Sequence, residues 1–286
     1  MKPSTRLKTI LAARSAAILP GTPNALFARL IAQHGFEAIY VTGAGIANMS
    51  YGFPDIGLVT LAELCDHVAA IADAVESPIL VDADTGFGNP LNVMRTVRLL
   101  ERAGAGGIQL EDQVFPKKCG HFAGKQVIPR AEMVQKIKAA CDARHAGDLQ
   151  IVARTDARAI EGIDAAIERA QAYAEAGADA TFVEAPLDMD ELARVARELA
   201  VPQIANMVFG GLTPPASRDE LSALGFGGVL YANAALQAAL LAVDDVMAAL
   251  RRDGSLAQVA DRLAGFERRQ HAVDKPHYDA LEQRYR

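Results

Sequence analysis

Short apolar runs rich in Val and Ile alternate along the chain with amphipathic stretches of about 10 to 15 residues, the two periodicities of strand and helix. The runs predict strands at 16–19, 38–42, 79–82, 107–111, 150–155, 180–184, 203–206 and 228–231. Between them, Thr60 with Glu63, Asn89 with Pro90, and Ser217 with Glu220 supply helix starts whose side chains satisfy free amides. Gly104 and Gly177 supply helix ends. Eight strand–helix units in the first roughly 250 residues predict a (β/α)8 barrel rather than an open doubly wound sheet, and no GxGxxG follows an early strand. Leu7, Ile10 and Leu11 form one face of a helix before the first strand, a simpler reading of the basic N-terminus than a targeting peptide. Residues 254–286 predict one or two further helices, so the whole chain, 1–286, reads as one barrel domain with a C-terminal helical extension.

Polar residues gather at the C-terminal ends of these strands. Tyr40-Val41-Thr42-Gly43-Ala44-Gly45 ends the second, Asp82 and Asp84 follow the third, and Glu111-Asp112-Gln113 ends the fourth. Arg154-Thr155-Asp156 ends the fifth, Glu184 the sixth and Asn206 the seventh. In a barrel these ends share one mouth, so residues distant in sequence converge on one cavity. Asp82 and Asp84, one residue apart at the end of a buried strand, suit a hard divalent cation, because an unpaired charge there is costly to desolvate. The small residues Thr42-Gly43-Ala44-Gly45 leave backbone amides open to a carboxylate in a nest-like turn. Arg154 is either a bidentate carboxylate clamp or a barrel ion pair with Glu184.

Composition narrows the class further. A chain of 286 residues with 51% hydrophobic content buries a sizeable core, and no run approaches the roughly 20 apolar residues of a membrane span. Net charge is -6 with dispersed basic residues, which offers no footprint for nucleic acid. The expectation is a soluble, cytoplasmic protein with small-molecule partners, no nucleic acid and no membrane. Cys65, Cys119 and Cys141 are an odd count without CxxC spacing, arguing against a disulfide framework or structural zinc. Cys65 and Cys141 fall on helix faces and read as inert. Cys119 differs, because Lys117, Lys118 and His121 flank it in a loop, and such surroundings lower a thiol's pKa toward proton exchange. Gly120 and Gly124 give that loop freedom to close.

The segments GFEAIYVTGAG, DADTGFGN, IQLEDQ, KKCGH, ARTDA and ANMVFGG together resemble the isocitrate lyase and phosphoenolpyruvate mutase superfamily, over nearly the whole chain. The resemblance implies a (β/α)8 barrel with Mg2+, for which Mn2+ is a substitute. It also implies a homotetramer that exchanges a terminal helix, acting on α-keto or 2-hydroxy carboxylates. Asp84 is then the expected direct ligand, with Asp82 and Glu111 reaching the ion directly or through water and Asp55 lying further out. Thr42, Gly43, Ala44, Gly120, Arg154, Glu184, Asn206 and Gln237 are the expected substrate contacts, and Cys119, Tyr40, Lys117 and His121 the expected catalytic groups.

KKCGH resembles the signature of the carbon–carbon lyases, in which the cysteine is the acid or base at carbon. The expected reaction is a retro-aldol-type cleavage of a 2-hydroxy dicarboxylate, with Tyr40 and a metal-bound hydroxide as alternatives for the hydroxyl base. Gln237 stands where methylisocitrate lyases carry an arginine, and a second such position falls near Phe266. Both losses favour a substituted malate over a tricarboxylate. Phe209 stands where relatives often have Glu, either making the pocket more apolar or packing under its loop. Methylisocitrate cleavage is one alternative; oxaloacetate decarboxylation, phosphonopyruvate mutase or hydrolase chemistry, and a non-catalytic barrel are the others.

Overall fold

The structure, a computed structural model, describes residues 1–118 and 124–286. Cys119, Gly120 and His121 lie outside the described residues. The strands are β1 (Ala17–Thr22), β2 (Ile39–Val41), β3 (Ile79–Asp82), β4 (Gly107–Glu111), β5 (Gln150–Thr155), β6 (Ala180–Val183), β7 (Ile204–Asn206) and β8 (Gly228–Tyr231). All eight lie within a few residues of the stretches predicted from their apolar runs. They pair in parallel in the order β6-β5-β4-β3-β2-β1-β8-β7. A parallel bridge between Thr181 and Gln203, reinforced by the Thr181 hydroxyl donating to Gln203 Oε1 at 2.8 Å, brings β6 back to the β7 edge. The result is a nearly closed (β/α)8 barrel.

The helices are α1 (Pro3–Ala12), α2 (Ala25–Gln33), α3 (Gly43–Tyr51), α4 (Leu61–Ala74), α5 (Pro90–Arg102), α6 (Arg130–Ala143) and α7 (Arg158–Glu161). They continue with α8 (Ile163–Glu175), α9 (Met189–Glu198), α10 (Arg218–Leu224), α11 (Ala234–Asp253), α12 (Phe266–Ala272) and α13 (Lys275–Arg284). Thr60, Asn89 and Ser217 each form a full capping box, so the sequence signals for helix entry act as written.

Alternation along the strands separates two apolar layers. Leu19, Tyr40, Leu80, Val152, Phe182 and Leu230 point into the barrel, where Leu7 and Leu11 of α1 plug the N-terminal end. Val41, Val81, Ile108, Ile151 and Ala153 face outward and pack against the helix ring. The same alternation sends Asp112, just past β4, away from the mouth: its carboxylate accepts from Thr155 Oγ1 at 2.7 Å and Tyr173 Oη at 2.8 Å, under α8. Asp112 is therefore a buried tie between layers rather than a member of the mouth cluster.

One helix departs from the ring. α11 makes its main contacts with β1 and a 3₁₀ segment (Ala257–Arg262) rather than lying between α10 and α2. Leu240, Leu241, Val243 and Met247 on it are more than half exposed. Among the described residues no helix is long and apolar enough to cross a membrane.

Candidate active site

The turn after β3 is built to present Asp84. Asp84 itself has φ 48°, a left-handed conformation that aspartate tolerates better than most residues, and Gly86 follows at φ 84°. Gly86 N–H donates to Ala83 O at 2.9 Å within this turn, and four more hydrogen bonds hold it. Glu111 N–H donates to Asp84 O at 2.8 Å, Asp84 N–H to Asp82 Oδ1 at 3.2 Å, Lys136 Nζ to Thr85 O at 3.2 Å, and Thr96 Oγ1 to Gly86 O at 3.1 Å. The backbone conformation is thus over-determined by its neighbours, as strained functional turns require.

Opposite this turn lies the segment expected to be a nest-like turn; it is the first turn of α3 instead. Thr42 is the N-cap, its Oγ1 accepting from Gly45 N–H at 3.2 Å, which leaves the Gly43 and Ala44 amides at the positive end of a helix. The anion-binding chemistry is retained by a different backbone geometry. Gly43 is required by proximity: a Cβ there would stand 3.2 Å from Asp82 Oδ2 and 3.5 Å from Asp84 Oδ1. A Gly43→Ala variant is expected to fold normally, since its φ is ordinary, and to lose turnover by at least about tenfold, equivalent to about 1.4 kcal/mol. Steady-state rates beside a thermal melt check both halves.

Lys117 enters the acid cluster from the loop after β4. Its ammonium pairs with Asp55 and lies 3.0 Å from Asp84 Oδ1, and its side chain is only 4% exposed. Burial opposes its charge, yet Asp84, Asp55 and Glu111 outweigh burial and hold the ammonium protonated well above its usual range. Burial pushes the Asp84 carboxyl up to about 6 against the pull of Lys117. Burial likewise raises Glu111 well above the usual carboxylate range, against Arg154. Tyr40 is buried, and burial followed by the adjacent Asp82 carboxylate holds its phenol well above the ordinary value. A phenol so held is a hydrogen-bond donor at neutral pH.

Arg154 forms the other half of the site. Its Nε and Nη2 grip Asp156 at 3.0 and 3.1 Å, its Nη2 lies 3.2 Å from Glu184, its Nε lies 3.4 Å from Glu111, and Phe182 underlies the guanidinium at 5.2 Å. The ion pair with Glu184 is thus present, within a wider network that pattern reading did not resolve. Asp156 also accepts from the buried Lys125 at 2.9 Å. Burial pushes the Asp156 carboxyl up, but Arg154 and Lys125 prevail and hold it below its usual range.

A pocket at the mouth brings together Tyr40, Thr42, Ala44, Asp55, Asp82, Lys117, Arg154, Glu184 and Asn206. A small neighbouring recess adds Gly43 and Asp84. Gln237 is not in either. It lines an adjoining outer cavity, its Nε2 donating to Phe209 O at 3.3 Å, and Phe209 is 88% exposed rather than packed beneath its loop. Asn233, whose Oδ1 has no hydrogen-bond partner, lines the mouth pocket and was missed by sequence reasoning because an asparagine before a helix reads as a cap. Cys65 and Cys141 are half-buried on helices with thiols pushed up by burial, as inert cysteines are.

The donor set fits a hard cation. Glu111 Oε1 is a buried oxygen that receives no hydrogen bond, and Asp84 Oδ1 is a buried oxygen met by the Lys117 ammonium at 3.0 Å. Among the described residues six carboxylates, Asp55, Asp82, Asp84, Glu111, Asp156 and Glu184, face four basic side chains, Lys117, Lys118, Lys125 and Arg154, so the acids outnumber the bases by two. Among the described residues no three acids, histidines or cysteines are already gathered at ligating spacing.

A parallel barrel whose C-terminal mouth joins clustered acids, a helix N-terminus and a guanidinium defines an enzyme that handles small oxyanions. The phosphoenolpyruvate phosphomutase family matches residues 7–251, and the chain belongs to it, within the PEP mutase/isocitrate lyase superfamily. It is 44% identical over 266 residues to the 2,3-dimethylmalate lyase of Eubacterium barkeri, covering 93% of this chain and 92% of that protein. It is also 44% identical over 262 residues to the 2-methylisocitrate lyase of Aeropyrum pernix, covering 92% and 84%. A solved phosphonopyruvate hydrolase complexed with oxalate and Mg2+ superimposes with TM-score 0.89 at 32% identity, covering 100% of this chain and 99% of that one.

Proposed function

We propose that this enzyme is a Mg2+-dependent carbon–carbon lyase that cleaves a substituted malate to an α-keto acid, such as pyruvate, and a carboxylic acid. The observation that carries the reading is the character of the outer cavity. Met49, Pro54, Val208, Leu236, Leu240 and Val243 wall it, and no Lys, Arg or His is among its described lining residues. A third substrate carboxylate there would lose its hydration without gaining a partner, whereas alkyl groups are favourably buried. Identity is 44% to both the 2,3-dimethylmalate lyase and the 2-methylisocitrate lyase, so the character of the cavity makes the choice.

Asp84, Asp82 and Glu111 would hold the metal, with Asp55 further out. The chemistry a bound Mg2+ supplies is positive charge at the oxygens of the keto or hydroxy acid and its enolate. The Gly43 and Ala44 amides receive one carboxylate at the head of α3, and Arg154 with Asn206 receives the other. Tyr40 donates a hydrogen bond within this pocket, and Lys117 adds fixed positive charge beside the acids. The C2 hydroxyl loses its proton to solvent water as C2–O becomes a carbonyl, the C2–C3 bonding pair stays on C3 and takes a proton from Cys119, and the thiolate so formed is reprotonated from solvent. His121 and Gly120 belong to that same segment and are assigned to it by the KKCGH resemblance.

Incubation with Mg2+ and malate, alkylmalates, isocitrate, methylisocitrate, oxaloacetate and phosphonopyruvate, with keto-acid release followed, tests the reading. Pyruvate from an alkylmalate is expected; methylisocitrate turned over at higher kcat/KM than any alkylmalate overturns the substrate assignment. A Cys119→Ser variant is expected to lose about 10²-fold in alkylmalate cleavage, the scale of general acid catalysis. Undiminished cleavage removes Cys119 from the mechanism.

The chain is further proposed to form a homotetramer in which α11 packs on a neighbouring barrel. Leu241 and Met247, which lie off the wall of the outer cavity, give it an apolar face that its own barrel leaves uncovered. A Leu241→Glu/Met247→Glu protein is expected to elute at a smaller mass in size exclusion with light scattering. An unchanged mass contradicts helix exchange.

A further inference from the structure

The arm that leaves β4 and returns to α6 is anchored on both sides of the segment between its two stems. Gln113 and Val127 form an antiparallel bridge, with Val114 N–H donating to Gln126 O at 2.8 Å and Ile128 N–H to Asp112 O at 2.8 Å. On the outgoing side Gln113 brackets the Lys118 backbone, accepting from its N–H at 2.9 Å and donating to its carbonyl at 2.8 Å. Lys117 then enters the Asp55 and Asp84 pair. On the returning side Lys125, with its side chain 3% exposed, reaches Asp156, which is 0% exposed.

Asp156 Oδ1 is the shared atom. It accepts both Lys125 Nζ at 2.9 Å and Arg154 Nη2 at 3.1 Å, so Lys125 lies one carboxylate away from the guanidinium. Arg154 faces three buried carboxylates, Glu111, Asp156 and Glu184, all no more than 2% exposed. Carboxylates crowded on the guanidinium weaken its attraction for an incoming anion. Lys125 cancels Asp156 and changes that balance.

We propose that Lys125 is a positioning residue for substrate: acting through Asp156, it fixes the Arg154 fork and leaves the guanidinium's charge available to a substrate carboxylate. The inference rests on the reading that Arg154 receives that carboxylate. It assigns to the returning stem of the arm a role in anion affinity, and it separates the two lysine anchors: Lys117 serves the acids around Asp84, and Lys125 serves the carboxylate clamp.

The test compares wild type, Lys125→Met, Lys125→Arg, the double variant Lys125→Met/Asp156→Asn, and Arg154→Lys, all as full-length protein with Mg2+. Oxalate, a compact dianion, is the probe by calorimetry. KM and kcat are read with the best alkylmalate, and Mg2+ affinity is measured separately without oxalate. Lys125→Met is expected to raise the oxalate Kd and KM tenfold or more, with Mg2+ affinity unchanged within twofold. Lys125→Arg is expected to restore both to within threefold of wild type. The double variant removes one charge of each sign, and it is expected to bind oxalate more tightly than Lys125→Met alone. Should Lys125→Met fail to fold, the double and arginine variants carry the comparison. Wild-type oxalate affinity and KM in both Lys125→Met and the double variant, with Arg154→Lys impaired, overturn this proposal while leaving the Arg154 reading intact. An unimpaired Arg154→Lys overturns both.

Discussion

An Asp84→Asn variant is expected to keep its barrel and lose turnover by on the order of 10³-fold, the loss that about 4 kcal/mol of missing transition-state stabilisation produces. Asparagine tolerates the left-handed φ of 48° at this position and preserves the side chain's shape. The turn itself is held by the backbone of Glu111 and by Lys136 and Thr96, none of which bonds the Asp84 carboxylate. Lys117 keeps Asp55 as a partner when Asp84 loses its charge, so the barrel is retained at some cost in stability, and the loss of turnover falls on the oxygen that lies 3.0 Å from Lys117 and faces the Gly43 end of α3. A thermal melt, a Mg2+ titration and steady-state rates on one preparation separate these effects. Turnover within tenfold of wild type would remove Asp84 as the principal ligand.

Replacing Arg154 strikes stability as well as chemistry. Glu111, Asp156 and Glu184 lie around one guanidinium, each no more than 2% exposed, and Lys125 reaches only Asp156 among them in the contacts described above. Arg154→Gln strands that negative charge in a low dielectric, and breaking a buried pair by removing one partner costs about 3–5 kcal/mol. Much of a domain's net stability is of that size. The expected result is a large fall in the urea midpoint together with undetectable cleavage. Arg154→Lys returns the charge without the planar fork, so it is expected to recover part of the stability and little of the activity. A Gln variant with a wild-type midpoint would show that the cluster protonates or hydrates at little cost.

The strand runs were legible because a strand in a parallel barrel is buried on both faces, which makes 79–82 and 150–155 continuous apolar blocks ending in charge. Asp82, Asp84, Glu111, Arg154, Glu184 and Asn206 were legible as a mouth for the same reason: strand ends share a face once the barrel closes. Thr42 to Gly45 was misread as a nest because glycines beside a strand fit a tight turn as well as a helix start, and only the Thr42 cap and the following turn of α3 distinguish them. Gln237 was read by ungapped matching as a substrate contact, and one turn along α11 it lines the outer cavity.

The sequence by itself determined the barrel, the places of its strands to within a few residues and the residue types at its mouth, since these follow from local periodicity and from which end of each strand carries charge. Only the tertiary structure decided how the charges pair. Lys117 comes to Asp55 across 62 residues of chain and Lys125 to Asp156 across 31. It also decided that Asp112 turns under α8 and that α11 leaves the helix ring. Those outcomes depend on which side chains meet after closure, where burial weakens water's screening and a displacement of a few ångströms decides whether two charges attract or stand apart.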